Sequence, residues 1–430
     1  MNKFVKNAML LLIAFLLVFT VACSKSGTGQ TNSKDPVTIR IGVLDDPNEK
    51  NNAQAVVDVF RQQYPNVTVK VEPYVGDYHA KALAQAASGD MPDVTWVYDG
   101  AVKEFAEAGV LEPLDSALKT NNVDTSDIYP AMLGYGVVNG KTYAVPRDYN
   151  HIVMFANTTL LKQEGLSLPA NGWDWNTFMD YAKKLTKKDA SGKTTQWAVL
   201  LEPKWEPVWA ACAQGYGGQY LDKQSGQIHL SDPKVVQGLK ACWDLVKDGY
   251  ALDPNGQYPE NMFLAGKVAF RVSVKPAASE INDASKAKGW GWDVTTFAKM
   301  PGKFAVGAGM SGYGVYAKSK HKAEAAALVS MFVKKEGQSA FNKTGNAIPV
   351  LKSLKDDKTW RDNPVPGKNS EAFVAFPESD VLREHEIVLP PAKSTEVNNG
   401  VHDAFDKYVT GKSSLEDALK AVDDKVNAMK

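Results

Sequence analysis

From Val37 onward, apolar and polar residues take turns in one of two periods, and the switching between those periods lays out the fold. VTIRIGV (37–43) puts Val37, Ile39, Ile41 and Val43 on alternate positions, the pattern of a half-buried strand. Ala53, Val56, Val57, Phe60 and Tyr64 then fall at i, i+3, i+4, i+7 and i+11, one stripe of a helix that must end before Pro65. VTVKVEP (67–73) alternates again, a helix is predicted over Tyr78–Ala87, and DVTWVY (93–98) makes a third strand. Strand, helix, strand, helix, strand is the order of βαβ units in a parallel sheet.

The second half repeats that order with other residues. HIVMFAN (151–157) reads as a strand, and Phe178, Tyr181, Ala182 and Leu185 mark a helix that Asp174 can cap. Asp232 and Pro233 open a further helix, whose stripe is Val235, Leu239, Cys242 and Val246. Strands return at KVAFRVS (267–273), WDVTTF (292–297) and YGVYA (313–317). The C-terminus carries two helical stripes, Val401–Tyr408 and Leu415–Val426, separated by Gly411. No short-period repeat runs through the chain, which speaks against a solenoid.

One stretch obeys neither period. The apolar run from Ala8 to Ala22 is 15 residues long, follows Lys3 and Lys6, and is shorter than the roughly 20 residues that a spanning helix requires. Residues 1–22 therefore read as a secretion signal. Ser24–Asp35 contains no large apolar residue, so residues 23–36 read as a flexible tether behind Cys23. No second apolar segment is long enough to cross a membrane.

Lys+Arg and Asp+Glu number 49 each, and losing Lys3 and Lys6 with the signal leaves a net charge of −2. That balance argues against nucleic acid as a partner. The roughly 395 residues after the tether exceed what one hydrophobic core organises, so two lobes are expected. Cys212 and Cys242 sit among apolar neighbours in WAACA and KACWDLV and read as buried free thiols, with a disulfide open to them if they face each other in an oxidising exterior. Two cysteines and six histidines do not make a zinc site, and neither metal nor cofactor is expected.

Local signatures of catalysis are missing. Gly309-Met310-Ser311-Gly312-Tyr313 lacks the second glycine of a nucleophile elbow, Glu384-His385-Glu386 has the wrong order for H-E-x-x-H, and there is no P-loop. What the chain offers is aromatic side chains in polar surroundings. Trp205 and Trp209 lie in EPKWEPVWAACAQGYGG (202–218) beside Glu202, Lys204 and Glu206. A sugar ring stacks its C–H face on an aromatic plane and needs paired donors and acceptors around its edge, which this segment supplies. The i, i+4 spacing of the two tryptophans equally describes one face of a core helix. Further candidates lie past strand ends, where open α/β sheets bind ligands: Asp45 and Asp46, then Tyr98 and Asp99. Arg147 follows Val145-Pro146. For each of these an ordinary place in a surface loop is the competing reading, and for Asp45 an N-cap.

Several stretches, taken in order, resemble the extracellular solute-binding proteins of bacterial ABC importers, the sugar-binding family that includes maltose-binding protein. They are SGDMPDVTWV (88–97), GVLEPLD (109–115), NGKTYAVP (139–146), the long run from Phe155 to Leu185, FLAGKVAF (263–270) and the run from Ser319 to Val350. Thr20-Val21-Ala22-Cys23 resembles a lipobox, which implies lipid on Cys23 and an extracellular, membrane-anchored protein. The resemblance implies an α/β, two-lobe periplasmic-binding-protein-like fold, each lobe a mainly parallel sheet flanked by helices, joined by hinge crossings. Lobe 1 would hold residues 37–147 and 312–362, and lobe 2 residues 148–311 and 363–430. Carried over by position, Tyr98, Trp205 and Trp209 would stack on a mono- or oligosaccharide between the lobes, and Asp46, Asp99 and Arg147 would bond its hydroxyls. Ser273-Val274-Lys275-Pro276 stands where relatives often have a glycine and a stacking tryptophan, so Lys275 becomes a peripheral or charge-selecting contact. Permease subunits with an ATPase are the implied partners of a monomer that performs no catalysis. A surface carbohydrate-active enzyme, or a binder of a peptide or metal complex, is the alternative.

Overall fold

The alternation in VTIRIGVL becomes β1, Val37–Leu44, because Ile39, Ile41 and Val43 bury completely on one face. Asp46 then caps the helix Pro47–Gln63, accepting from the amides of Asn48 and Glu49, and Ala53, Val56, Val57 and Phe60 of that helix pack onto the sheet. The computed structural model describes residues 36–76, 78–258, 261–302, 306, 308–343, 345, 347–363, 365–375 and 384–429. The signal 1–22, Cys23 and the tether up to Asp35 lie outside the described residues. Among the described residues no helix is long and apolar enough to cross a membrane.

Two five-stranded sheets organise the chain. The first joins β1, β2 (Val67–Tyr74), β3 (Val94–Tyr98), β6 (Val145–His151) and β12 (Ala308–Val315) in the order β2-β1-β3-β12-β6. The second joins β7 (Val153–Asn157), β8 (Lys187–Lys188), β9 (Thr194–Leu200), β10 (Val268–Ser273) and β11 (Trp292–Thr296) in the order β11-β7-β10-β9-β8. A two-stranded hairpin, β4 (Val137–Val138) and β5 (Lys141–Thr142), stands apart. The two-lobe α/β architecture is present.

Strand directions are more mixed than the expected mainly parallel sheets. β1 runs parallel to β2 and β3, and β9 parallel to β10, as βαβ crossovers require. β12 pairs antiparallel with both β3 and β6, and β7 antiparallel with both β10 and β11. The cause is connectivity. The chain leaves the first sheet from β6 directly into β7, separated by Ile152 alone, and returns from β11 into β12, so each of these strands enters its sheet from the other lobe. A third crossing follows Leu351, which bridges to Ile128 near the first sheet, and reaches Asn369, whose amide donates to Asp293 of β11 at 2.9 Å.

The strand residues divide between two cores. Val153 and Phe155 of β7 face the core that continues under the first sheet, whereas Met154 and Ala156 face a second core. The helices Glu206–Gln214, Pro233–Lys247, Pro391–Val409 and Leu415–Ala428 cover that second core. Within it Cys212 and Cys242, both fully buried, form a disulfide across 30 residues, which corrects the expectation of two free thiols. Neighbouring helices bring them together, and sequence spacing alone does not encode that proximity. Closing a loop of this length stabilises by about 3–4 kcal/mol through the unfolded chain. The double substitution Cys212→Ser/Cys242→Ser should lose that amount in urea unfolding, and reducing agent should have the same effect on the wild type but none on the variant.

Candidate functional site

The ends of β3 and the helix after it, Asp99–Glu107, present the first group of side chains. Tyr98 is half-buried in an aromatic cluster with Trp96, Tyr78 and His79, at ring separations of 5.9, 6.3 and 6.2 Å. Its hydroxyl lies 3.4 Å from His79 Nδ1. Beneath it, burial pushes the Tyr74 phenol up to about 12, so the Tyr74 hydroxyl stays protonated and shares a 2.8 Å hydrogen bond with Thr95 Oγ1. Asp99, 3 % exposed, accepts from the backbone amides of Gly100 and Met310 and thereby ties the helix start to β12. At Gly100 a Cβ would stand 3.0 Å from Glu386 Oε2 and closer still to the Tyr98 ring, so a larger residue would displace those side chains. Glu386 belongs to the short helix Glu384–Val388, and Lys103 binds the carbonyl of Val388 at 3.2 Å, so that helix is docked against Asp99–Glu107.

A second group surrounds Trp205. Pro203 and Pro207 flank it, and it precedes the helix Glu206–Gln214, all of whose residues are buried. Half-buried itself, Trp205 lines a cavity of about 370 Å³ together with Glu202, Lys204, Asp253, Tyr258 and Asn261. Leu200, Leu252 and Met262 supply its apolar wall. Lys204 is held at 2.7 Å by Asp406, and Tyr258 sits edge-on to Trp197 at 5.7 Å. Two ring faces, apolar walls and carboxylate, ammonium and amide groups at one opening are what a polyhydroxylated ring requires.

The remaining expected contacts are occupied within the protein. Asp46 spends one carboxylate oxygen on its N-cap, although it remains exposed. Arg147, 3 % exposed, is bound by both carboxylate oxygens of Glu49, by Ser311 Oγ at 3.0 Å and by Asp148 at 3.7 Å, and stacks on Phe341 at 5.1 Å. Burial works against its charge, but Asp148 and Glu49 outweigh that and hold the guanidinium firmly protonated. Trp209 is fully buried, 5.3 Å from both Tyr220 and His385, on the core face that its i, i+4 spacing with Trp205 also allowed.

Lys275 is not peripheral. At 1 % exposure its ammonium donates to the carbonyls of Gly345 and Asn363 and lies 5.6 Å from both the Trp360 and Phe373 rings. It thus joins the turn after β10 to the third crossing between the sheets.

Tyr258, Asp253 and Asn261 were not singled out from the sequence. Their signal is weak, a loop rich in Pro, Gly and Asn after the helix Pro233–Lys247. Glu206, His385 and Glu386 bring three ligand atoms within 4.8 Å of one another and form the one group among the described residues with metal-ligand chemistry. His385 Nδ1 lies 3.2 Å from the Tyr220 hydroxyl and 3.5 Å from Glu206.

Comparison with known proteins follows the same outline. A family model described as bacterial extracellular solute-binding protein matches residues 55–365. A multiple sugar-binding protein of Streptococcus mutans is 24% identical over 379 residues, covering 83% of this chain and 85% of that protein. An ABC substrate-binding protein of Listeria monocytogenes, solved in complex with cycloalternan, superposes with a TM-score of 0.74 at 24% identity, covering 91% of this chain and 98% of the other. The GacH receptor of Streptomyces glaucescens, solved unliganded and in complex with acarbose, gives a TM-score of 0.75 at 22% identity, with 92% and 100% covered. At these identities the structural likeness establishes the fold.

Proposed function

Because the chain belongs to the bacterial extracellular solute-binding proteins, we propose that it captures a mono- or oligosaccharide between its lobes and delivers it to the permease of an ABC importer. The family binds substrates and does not convert them, so the carbohydrate-active enzyme falls away as an alternative. The observation that carries the sugar reading is the cavity at Trp205, where Trp205 and Tyr258 offer faces and Glu202, Lys204, Asp253 and Asn261 offer hydrogen bonds. The similar proteins whose names or complexes specify a multiple sugar, cycloalternan and acarbose support the same class of ligand.

Tyr98 on the first lobe supplies the opposing wall in this reading, while the buried Asp99, expected as a ligand contact, is engaged by the amides of Gly100 and Met310, and Asp46 stands exposed at the same sheet end. A ligand that touches both lobes binds the closed form better than the open one and shifts the hinge equilibrium by that difference. Residues 1–22 act as the export signal, and lipid on Cys23 holds the protein at the outer face of the cell membrane. Two acyl chains on that cysteine fit a stable anchor, since one chain holds only marginally.

Thermal-shift and calorimetric titration of the mature protein against neutral sugars, uronates and oligosaccharides tests the proposal. A neutral saccharide should raise the Tm, with the increase growing as the logarithm of its concentration above the Kd, and stabilisation by peptides or metal complexes with none by any sugar would overturn the reading. Trp205→Ala should cost about 2 kcal/mol of binding, close to thirtyfold in Kd, with the fold intact.

A further inference from the structure

The charges around the Trp205 cavity do not balance. Three charged side chains line it, the ammonium of Lys204 and the carboxylates of Glu202 and Asp253. The positive one is already matched from outside the lining. Lys204 Nζ lies 2.7 Å from Asp406, on the helix Pro391–Val409, and 3.2 Å from Asn255 Oδ1, while Asn255 donates its amide to Asp406 at 2.9 Å. The Phe405 ring stands 5.6 Å from the same ammonium. The two carboxylates have no such match. Glu202 is exposed and enters no ion pair among the described residues. Asp253 accepts from the Asn255 amide at 2.8 Å and meets no cation among the described residues. Burial and then the charge of Asp253 hold the Tyr258 phenol above its ordinary range, which places that carboxylate beside that ring.

We infer that the sugar captured at Trp205 carries positive charge, as an amino sugar or a short oligomer of one, and that the cavity ranks it above a neutral sugar and a neutral sugar above a uronate. The inference rests on the sugar reading of this cavity and names the class of sugar. An ammonium on the guest gains from the faces of Trp205 and Tyr258 and from charge-assisted bonds to Glu202 and Asp253. A uronate brings its own carboxylate toward two like charges, and the lysine that would receive it is held by Asp406. Solvent screens the exposed Glu202, so the preference for the amine is about tenfold. Asp406 is a positioning residue in this scheme, since it acts through Lys204.

Calorimetric titration of the mature protein at about pH 6, where an amine of this kind is protonated, tests the ranking. Glucosamine is compared with glucose and glucuronate, and the β-1,4-linked dimer and trimer of glucosamine with cellobiose and cellotriose, which differ from them only by hydroxyl in place of ammonium. The amine form should bind about tenfold tighter than its neutral counterpart, glucuronate more weakly than glucose, and the amine preference should shrink as salt is added. Glu202→Gln/Asp253→Asn keeps the oxygen that accepts from Asn255 and should bring the amine-to-neutral ratio close to one. Asp406→Asn should lower that ratio and strengthen glucuronate, whereas a purely structural role for Asp406 would weaken all the sugars together. Equal affinities for amine and neutral forms, tightest binding of glucuronate, or a ratio that the double variant preserves overturns the inference and leaves the proposed function standing. Binding of no sugar in any form overturns the proposed function and this inference with it.

Discussion

Replacing Arg147 by methionine should destabilise the protein by about 3–5 kcal/mol at pH 8, because it strands buried carboxylate rather than removing a surface charge. Glu49 gives both oxygens to the guanidinium, and Asp148 shares Ser311 Oγ with it at 3.0 Å. Burial already pushes the Glu49 carboxyl above the ordinary carboxylate range, and the attraction of Arg147 only partly offsets it. Without the arginine that carboxyl rises further. A carboxyl raised in the folded state stabilises while protonated and loses that contribution as pH climbs, so the defect of Arg147→Met should shrink toward pH 5. Glu49→Gln in the same chain should recover part of the loss at pH 8. Urea unfolding of the wild type and the two variants at both pH values decides it, and a defect that is equal at pH 5 and pH 8 would mean that lost packing on Phe341 is the cause.

The Lys275 pin should make stability rise with pH over an unusual range. Burial pushes its ammonium down from 10.5 to about 7, and no carboxylate compensates. Below about pH 7 the lysine is protonated in both the folded and the unfolded chain, and the folded state carries the full cost of a buried charge. Between about 7 and 10.5 the unfolded chain holds the extra proton, so each rise in pH favours folding, and above that window the cost is gone. Measured against Lys275→Met, which carries no charge at any pH, the wild type should gain about 4 kcal/mol between pH 6.5 and pH 10. Equal pH profiles for the two proteins would show that the carbonyls of Gly345 and Asn363 and the rings of Trp360 and Phe373 fully replace water around the charge.

These two cations mark where sequence reading stops. β1 and β2 were legible because apolar residues keep period two along them, and β3, buried on both faces, because it stands as a short apolar run. The N-caps at Asp174 and Asp232 were equally legible, since a cap is a bond between residues two or three apart, whereas the cap after β1 falls on Asp46, one residue beyond Asp45. Glu49 lies 98 residues from Arg147, and the carbonyls that hold Lys275 lie 70 and 88 residues away, so no local pattern announces either pairing. Trp209 was undecidable for a different reason. A helix buried on every side, as Glu206–Gln214 is, keeps no polar face from which an outward direction could be read. The cavity at Trp205 was half legible: Glu202, Lys204 and Trp205 share one segment, whereas Asp253, Tyr258 and Asn261 arrive from a loop about fifty residues on.

The bridge between Cys212 and Cys242 ties the chain's folding to its address. Sulfurs with no exposure cannot meet an oxidant once the two helices have docked, so they must pair while that part of the chain is still loose, on the oxidising side of a membrane. Under the proposed export, the same polypeptide would lack its link in a reducing cytosol, and its last increment of rigidity would be withheld until it reached the oxidising side.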